Sequence, residues 1–176
     1  MVHTEGKELP VTVVTYGPQS DLTLNKVDFR PQTVFAFSNI YPELLQAIYV
    51  AGFPFGDKFS ISVKVTKGII SSLTGLENNF SNIQINAALQ SRNSGGPILD
   101  DLGNVGGVAV SKLDAKYMFE GVGIIPENTN LGIKSNVVRN IMMGNQLYGS
   151  LPITPKSANQ NLVKWLIMST NSSPFG

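Results

Sequence analysis

The sequence of 176 residues contains no cysteine and a single histidine, and only 14% of its residues are charged. The absence of cysteine excludes disulfide bonds and thiolate-based metal sites. One histidine among scattered carboxylates offers no metal-binding cluster, and no phosphate-binding loop, dinucleotide-binding or calcium-binding motif is present. We therefore expect a protein that works without a metal ion or any other cofactor.

Charge of either sign is also scarce, with 13 lysines and arginines against 12 acidic residues. No stretch combines basic residues with interleaved aromatics, so nucleic acid is not an expected partner. No apolar run approaches the roughly 20 residues of a membrane span. No signal peptide is visible either, since Met1 leads directly into charged, strand-like sequence. Apolar residues, at 42%, are sufficient for a folded core.

Short apolar segments alternate with turn residues along most of the chain, which predicts an all-β barrel architecture. A helix over 136–143, capped by Ser135, is expected to close the domain. The connection between two lobes is expected to pack against the rest of the protein through the aromatic side chains of Phe35, Phe37 and Tyr41. The main strands are predicted at 47–51, 59–66, 69–73, 82–87, 105–113 and 131–134.

The most informative stretch is Asn93-Ser94-Gly95-Gly96-Pro97. A serine hydroxyl is a weak nucleophile, so a protein that uses one must expose its Oγ and aim nearby N–H groups at the developing oxyanion. Paired glycines allow the tight turn and the close approach of a substrate carbonyl that this requires. An ordinary Gly-Pro turn is the alternative, and these five residues alone do not decide between the two.

The segments around this stretch carry a family resemblance. In chain order they are Ser20–Val27, Gly52–Gly56, Thr66–Leu73, Gln84–Ala88, Leu102–Val108 and Asn130–Lys134. At these intervals, the chain from Thr4 to Met142 resembles the bacterial trypsin-like serine endopeptidases of the HtrA/DegP type. The resemblance implies a trypsin-like double β-barrel: an incomplete N-terminal barrel with the inter-barrel connection over 1–45, a complete C-terminal barrel with a short helix over 46–144, and a linker and tail over 145–176.

The resemblance also implies a catalytic apparatus. Ser94 would be the nucleophile and Asp21 the catalytic aspartate, and the oxyanion hole would be formed at Arg92, Asn93 and Ser94. Arg92 departs from the family, which usually has glycine there, and arginine cannot adopt positive φ angles cheaply.

The general base of the family is missing from its expected place. The only histidine, His3, lies eighteen positions before Asp21, on the first strand of a hairpin that turns at Glu5-Gly6-Lys7. The family's histidine belongs further upstream, so the chain looks truncated at its N-terminus. A relocated base at His3 is the alternative. Loss of the histidine would cost about 10⁶ in turnover.

For substrates, the resemblance implies an extended polypeptide paired with the strand at Ser111, Lys112 and Leu113. The pocket for the P1 side chain, S1, would be walled by Ala88, Leu89, Gln90, Leu131, Gly132 and Ile133. Because no acidic residue stands at Ala88, we expect a small or medium apolar P1 residue rather than arginine or lysine.

Two functions remain open at this point. One is a serine endopeptidase that is weakly active or inactive as this chain stands, and the other is a catalytically dead, protease-fold peptide-binding module. Polypeptide substrates are the expected partners, with a homo-oligomer or a lost additional domain as further possibilities. The family is typically extracytoplasmic, either periplasmic or membrane-anchored, which favours that location here.

Overall fold

The computed structural model describes residues 2–4, 7–18, 20–28, 34–52, 63–89, 93–110 and 129–151. Within them lie ten strands, one α-helix and two short 3₁₀ turns at Leu76–Asn78 and Tyr148–Ser150. The strands are β1 (Val2–Thr4), β2 (Lys7–Leu9), β3 (Val11–Gly17), β4 (Leu22–Val27), β5 (Ala47–Gly52), β6 (Lys64–Ser72), β7 (Asn82–Ile85), β8 (Pro97–Leu99), β9 (Val105–Val110) and β10 (Asn130–Lys134). The helix, α1, spans Ser135–Gly144.

Six of these strands form a closed antiparallel barrel in the order β10-β7-β6-β5-β8-β9. Residues alternate between the barrel interior and its outer surface, as the sequence pattern of β7 and β9 requires. Ile83, Ile85, Ile98 and Val50 are almost fully buried in the interior. Burying each such side chain stabilises the fold by about 1.5–3 kcal/mol. The predicted all-β fold with a complete C-terminal barrel is confirmed.

Strand β6 differs from its prediction. The break expected between strands 59–66 and 69–73 does not occur, and one strand runs from Lys64 to Ser72. Gly68 lies in its middle, where a Cβ atom would come within 2.5 Å of the backbone nitrogen of Ala87. The glycine therefore marks a close approach between two chain segments rather than the end of a strand. Residues 53–62 lie outside the described residues.

The N-terminal part consists of two hairpins. Strand β1 pairs with β2, with His3 opposite Glu8, which agrees with the predicted turn after Thr4. Strand β3 pairs with β4, with a register shift between Val13 and Thr15. Within the described ranges each hairpin forms a sheet of two strands. Such small sheets gain little stability on their own, and Val13 also has an exposed side chain.

The helix α1 follows β10 directly, as predicted, but its start differs. Lys134 occupies the N-cap position and Ser135 is already helical. The Ser135 hydroxyl donates to the carbonyl oxygen of Ser38, at 3.4 Å, so the predicted cap is wrong. Ser38 belongs to the connection between the lobes, which the helix start thus contacts.

That connection packs on β9 through its backbone. The N–H of Val105 donates to Ala36, at 2.7 Å, and the N–H of Ser38 donates to Val105, at 2.9 Å. Phe35 and Phe37 are half-buried, in line with the prediction, whereas Tyr41 is 70% exposed and does not pack as expected.

A tight turn joins β8 to β9. The buried Asp100 accepts the N–H groups of Leu102, at 3.0 Å, and Asn104, at 2.8 Å, on the same carboxylate oxygen. This network fixes the strand that directly follows the Asn93–Gly96 turn. No helix in the described part of the chain is long and apolar enough to cross a membrane.

Candidate active site

Ser94 lies at the apex of an exposed turn that leads into β8. The N–H of Gly96 donates to the carbonyl oxygen of Asn93, at 3.0 Å, which closes the turn. Gly95 has a φ of 84°, a value that a type II turn requires and that glycine adopts without strain. The N–H of Gly95 donates to Ala109, at 2.8 Å, and the N–H of Ala109 donates to Gly96, at 2.9 Å. The turn is therefore hydrogen-bonded to β9 through the N–H of Gly95 and the carbonyl oxygen of Gly96.

Asn93 anchors the other end of this turn. Only 2% of its surface is exposed, and its side chain packs against Gly52 at the end of β5. A Cβ atom at Gly52 would lie 2.5 Å from the Asn93 Oδ1, so a larger residue there would displace the asparagine. Because Asn93 points into the barrel wall, Ser94 is presented outward.

The N–H groups of the turn divide into two pairs. Those of Gly95 and Gly96 are used within the fold, as described above. Within the ranges that the structure describes, the N–H groups of Asn93 and Ser94 have no acceptor, and the Ser94 hydroxyl has no partner. These two N–H groups are available to an oxyanion beside Ser94.

Asp21 is held at the start of β4 by a turn that follows β3. Ser20 closes this turn by donating both its N–H and its hydroxyl to the carbonyl oxygen of Gly17, each at 3.1 Å. Asp21 itself has a φ of 50°, a left-handed conformation that aspartate tolerates better than most residues. The carboxylate side chain is exposed at the edge of the hairpin.

A cleft of about 560 Å³ brings Asp21 and Ser94 together. Asp21 lines it from the β3–β4 hairpin, and Ser94 and Gly95 line it from the barrel. Apart from these residues the described lining is largely apolar, and Asp21 is its only ionisable side chain. The apolar part comprises Leu22, Leu24, Val108, Ala109, Val110, Ile133, Val138, Ile141 and Met142.

The segment 86–89, which follows β7 and leads towards Ser94, has an irregular backbone held by side chains. Asn86 Oδ1 accepts the N–H of Ile69, at 2.8 Å. The carbonyl of Ala87 accepts from Asn130 Nδ2, at 2.7 Å, and the carbonyl of Ala88 accepts from the Thr66 hydroxyl, at 2.9 Å. Carbonyls that a regular strand would satisfy are thus satisfied by side chains from neighbouring strands.

The comparison with known proteins agrees with this geometry. The trypsin-like peptidase domain family matches residues 2–108, which is more than half of the chain. The chain belongs to this family. The match covers both Asp21 and Ser94, and with them both hairpins and most of the barrel.

Several curated proteins are similar to this trypsin-like chain. An uncharacterised protein of Sinorhizobium fredii, y4bJ, is 33% identical over 145 residues, which cover 82% of this chain and 22% of that protein. The serine protease Do-like HtrA of Lactococcus lactis is 29% identical over 184 residues, which cover 96% of this chain and 42% of that protein. The periplasmic serine endoprotease DegP of Salmonella typhimurium is 28% identical over 178 residues, which cover 98% of this chain and 36% of that protein. The chain is therefore similar to HtrA and DegP proteases, and it spans less than half the length of these relatives.

A solved structure supports the fold. The serine endoprotease from Yersinia pestis superposes with a TM-score of 0.63 at 22% sequence identity, over 84% of this chain and 47% of that chain. The expected resemblance to HtrA-type trypsin-like proteases is confirmed.

The structure places the predicted site residues of this family in three groups. Ser94 and Asp21 share the cleft, and Asn93 supports the turn. Ala88 is exposed and Leu89 is buried at the end of segment 86–89, while Leu131, Gly132 and Ile133 are buried in β10. The remaining residues, Gln90, Arg92, Ser111, Lys112 and Leu113, lie outside the described residues.

Sequence reasoning missed Thr66 and Asn130, the two donors to segment 86–89. Thr66 was assigned to the end of the strand predicted over 59–66, Asn130 lay just before the strand predicted over 131–134, and their partners are 22 and 43 residues away in the chain. A polar residue at a buried barrel position is the one signal that marks Asn130.

In the described ranges no group of three or more histidine, cysteine, aspartate or glutamate side chains is placed to hold a metal ion. Away from the cleft, burial lowers the pKa of Lys134, whose amine donates to the carbonyl of Phe80 at 2.7 Å.

Proposed function

We propose that this chain is a serine endopeptidase that cleaves polypeptides through an acyl-enzyme on Ser94. The observation that carries the proposal is the shared cleft, which is lined by the exposed Ser94 on the barrel and by Asp21 on the β3–β4 hairpin. In this reaction Ser94 Oγ attacks the scissile carbonyl carbon and loses its proton to a base. The oxyanion of the tetrahedral intermediate accepts hydrogen bonds from N–H groups at the turn. The amine product then leaves with a proton, and water hydrolyses the acyl-enzyme ester.

The role of Asp21 in this scheme is electrostatic. A carboxylate that faces the nucleophile across a cleft orients an imidazole between them and stabilises the imidazolium that forms. The sequence holds one histidine, His3, and that residue lies on β1, opposite Glu8. Among the described residues that line the cleft, Asp21 is the only ionisable side chain and none is a histidine.

This composition of the cleft leads to a quantitative expectation. Without an imidazole, a trypsin-like site loses about 10⁶ in turnover, equivalent to about 8 kcal/mol of activation barrier. We propose accordingly that the chain as it stands reacts slowly, with residual help from the N–H groups at the turn. A protease-fold module that binds peptides without cleaving them is the second candidate, and the same absence of a base in the described lining favours it.

For location, we propose an extracytoplasmic protein. Two of the similar proteins, the DegP of Salmonella typhimurium and a DegP-like protein of Chlamydia pneumoniae, are named as periplasmic endoproteases. Polypeptide substrates with a small or medium apolar P1 residue are proposed on the basis of Ala88, which carries no charge at the pocket base.

Fluorophosphonate labelling of the purified, folded chain tests this proposal. Mass spectrometry of the modified peptide is expected to find the label on Ser94, at a slow rate. The Ser94→Ala variant removes the label, whereas Ser71→Ala, which alters another exposed serine in β6, leaves it unchanged. A folded chain that is never labelled at Ser94 would overturn the endopeptidase and leave the binding module.

A further inference from the structure

The segment 86–89 is held from both sides of the strand that precedes it. In the barrel, β7 lies between β6 and β10. Thr66, on β6, binds the carbonyl of Ala88, and Asn130, on β10, binds the carbonyl of Ala87. The two donors continue the pairing of β7 on both flanks after its regular hydrogen bonds have ended. They thereby fix two successive peptide groups on the path to Ser94.

Asn130 is an unusual residue for this position. Its side chain is 4% exposed, and its Oδ1 is buried without a partner in the described part of the chain. An unpaired buried oxygen is unfavourable, so an apolar residue would suit the barrel better if the position served packing alone. The feature that an apolar residue cannot supply is the 2.7 Å bond to Ala87.

We infer that Asn130 and Thr66 are positioning residues for the S1 pocket, acting through the wall formed by Ala88 and Leu89. This inference rests on the proposed function, which makes segment 86–89 a wall of that pocket. A pocket discriminates between side chains only if its walls stay where they are when the wrong side chain enters. The two hydrogen bonds hold Ala87 and Ala88 in place beyond the last residue of β7, Ile85, and after the backbone bond from Asn86 to Ile69.

Three variants separate this role from general stability. Thr66→Val keeps the shape of the side chain and removes its hydroxyl, and Asn130→Leu keeps a similar volume and removes the donor. Ser72→Ala is the matched control, since Ser72 lies on the same strand and donates a comparable bond, of 3.0 Å, to Thr74. Thr66→Ser restores a hydroxyl and is expected to restore wild-type behaviour.

The first readout is amide hydrogen exchange, which does not depend on catalysis. In Thr66→Val and Asn130→Leu, peptides that cover segment 86–89 are expected to exchange about tenfold faster, with the rest of the barrel unchanged. Ser72→Ala is expected to leave that segment as in the wild type. If the segment exchanges at the wild-type rate in both variants, or if the whole barrel accelerates equally, the inference is wrong.

The second readout compares two labels on Ser94, a small fluorophosphonate and a peptidyl phosphonate with a P1 valine. Loss of either hydrogen bond is expected to lower the rate of the peptidyl label about tenfold while the small label reacts as before. An equal fall for both labels would contradict a role in S1. If neither label reacts with the folded wild type, the proposed catalysis fails, and hydrogen exchange alone then decides on the positioning role. Because Thr66 is near the surface, its variant is expected to fold even if Asn130→Leu does not.

Discussion

Substituting Gly96 by alanine tests the geometry of the nucleophile turn most directly. A Cβ atom at this position would lie 2.7 Å from the carbonyl oxygen of Ala51 and 2.9 Å from that of Asn93. Both oxygens belong to backbone, and Ala51 lies in β5 of the closed barrel, so neither can rotate away. Overpacking of this kind costs about 1–3 kcal/mol. The lower entropy of the unfolded alanine chain offsets about 0.4–1 kcal/mol, which leaves a destabilisation of about 1.3 kcal/mol at the midpoints of the two ranges.

The neighbouring glycine is the matched control. At Gly95 a Cβ atom would meet nothing within 4 Å, so only the positive φ of 84° opposes alanine. That conformation costs about 1–2 kcal/mol, and the same entropic gain leaves a loss of about 1 kcal/mol. Urea denaturation measures the loss in the free energy of unfolding for both variants, provided that this free energy depends equally steeply on urea concentration in each. The rate of fluorophosphonate labelling measures the position of the serine, and a displacement of about 1 Å costs about 100-fold. The reasoning is refuted if Gly96→Ala is as stable as the wild type or costs less than Gly95→Ala.

Three further outcomes follow from the same structure. Asp100→Ala is expected to lower the free energy of unfolding by about 3 kcal/mol, because the N–H groups of Leu102 and Asn104, one part-buried and one buried, lose their common acceptor, and thermal denaturation would show it. Ser135→Ala is expected to cost about 0.5–1.5 kcal/mol in urea denaturation, because the buried carbonyl of Ser38 loses the hydroxyl that donates to it; an unchanged free energy of unfolding would show that this hydrogen bond contributes nothing. Added imidazole is expected to speed the labelling of Ser94 about tenfold, and Asp21→Ala to reduce this rescue; a rate that does not respond to imidazole would argue against a missing base.

Much of the fold was predictable because strand alternation is a local property. The inward-facing isoleucines of β7 follow a strict period of two. The turn before β8 is predicted by its paired glycines and the proline that follows them. Asp21 and Ser94 were identified by resemblance, since nothing in the 72 residues between them indicates that they line one cleft. The cleft that joins them exists only after the barrel closes and the hairpin packs beside it.

The errors have a common physical cause. Strands were predicted at 59–66 and 69–73, but β6 runs through Gly68, where the absence of a Cβ atom admits the backbone of Ala87. Ser135 was interpreted as a helix cap because of its position, but Ser38 accepts its hydroxyl instead. In both cases a partner distant in sequence decided the outcome. Local propensity contains no information about such a partner.

The two halves of the cleft differ in how they are held, and this difference can be measured. Ser94 is fixed by β5 and β9, both parts of a closed barrel whose core is almost fully buried. Asp21 is carried by a hairpin that, in the described ranges, pairs with no third strand and exposes Val13 and Tyr16. Small sheets with exposed apolar edges open at lower free energy than barrel strands.

Amide hydrogen exchange is therefore expected to find β3 and β4 exchanging well before β5 and β9. Covalent modification of Ser94 by a small fluorophosphonate should leave this order unchanged, since the label contacts the barrel side first. An added peptide that spans the cleft should slow exchange in β4 if Asp21 is part of the binding surface. Equal protection of the hairpin and the barrel in the free chain would show that the hairpin is supported by contacts beyond its own two strands. The expected labelling rate of Ser94 would then apply to a cleft that is already formed in the free chain.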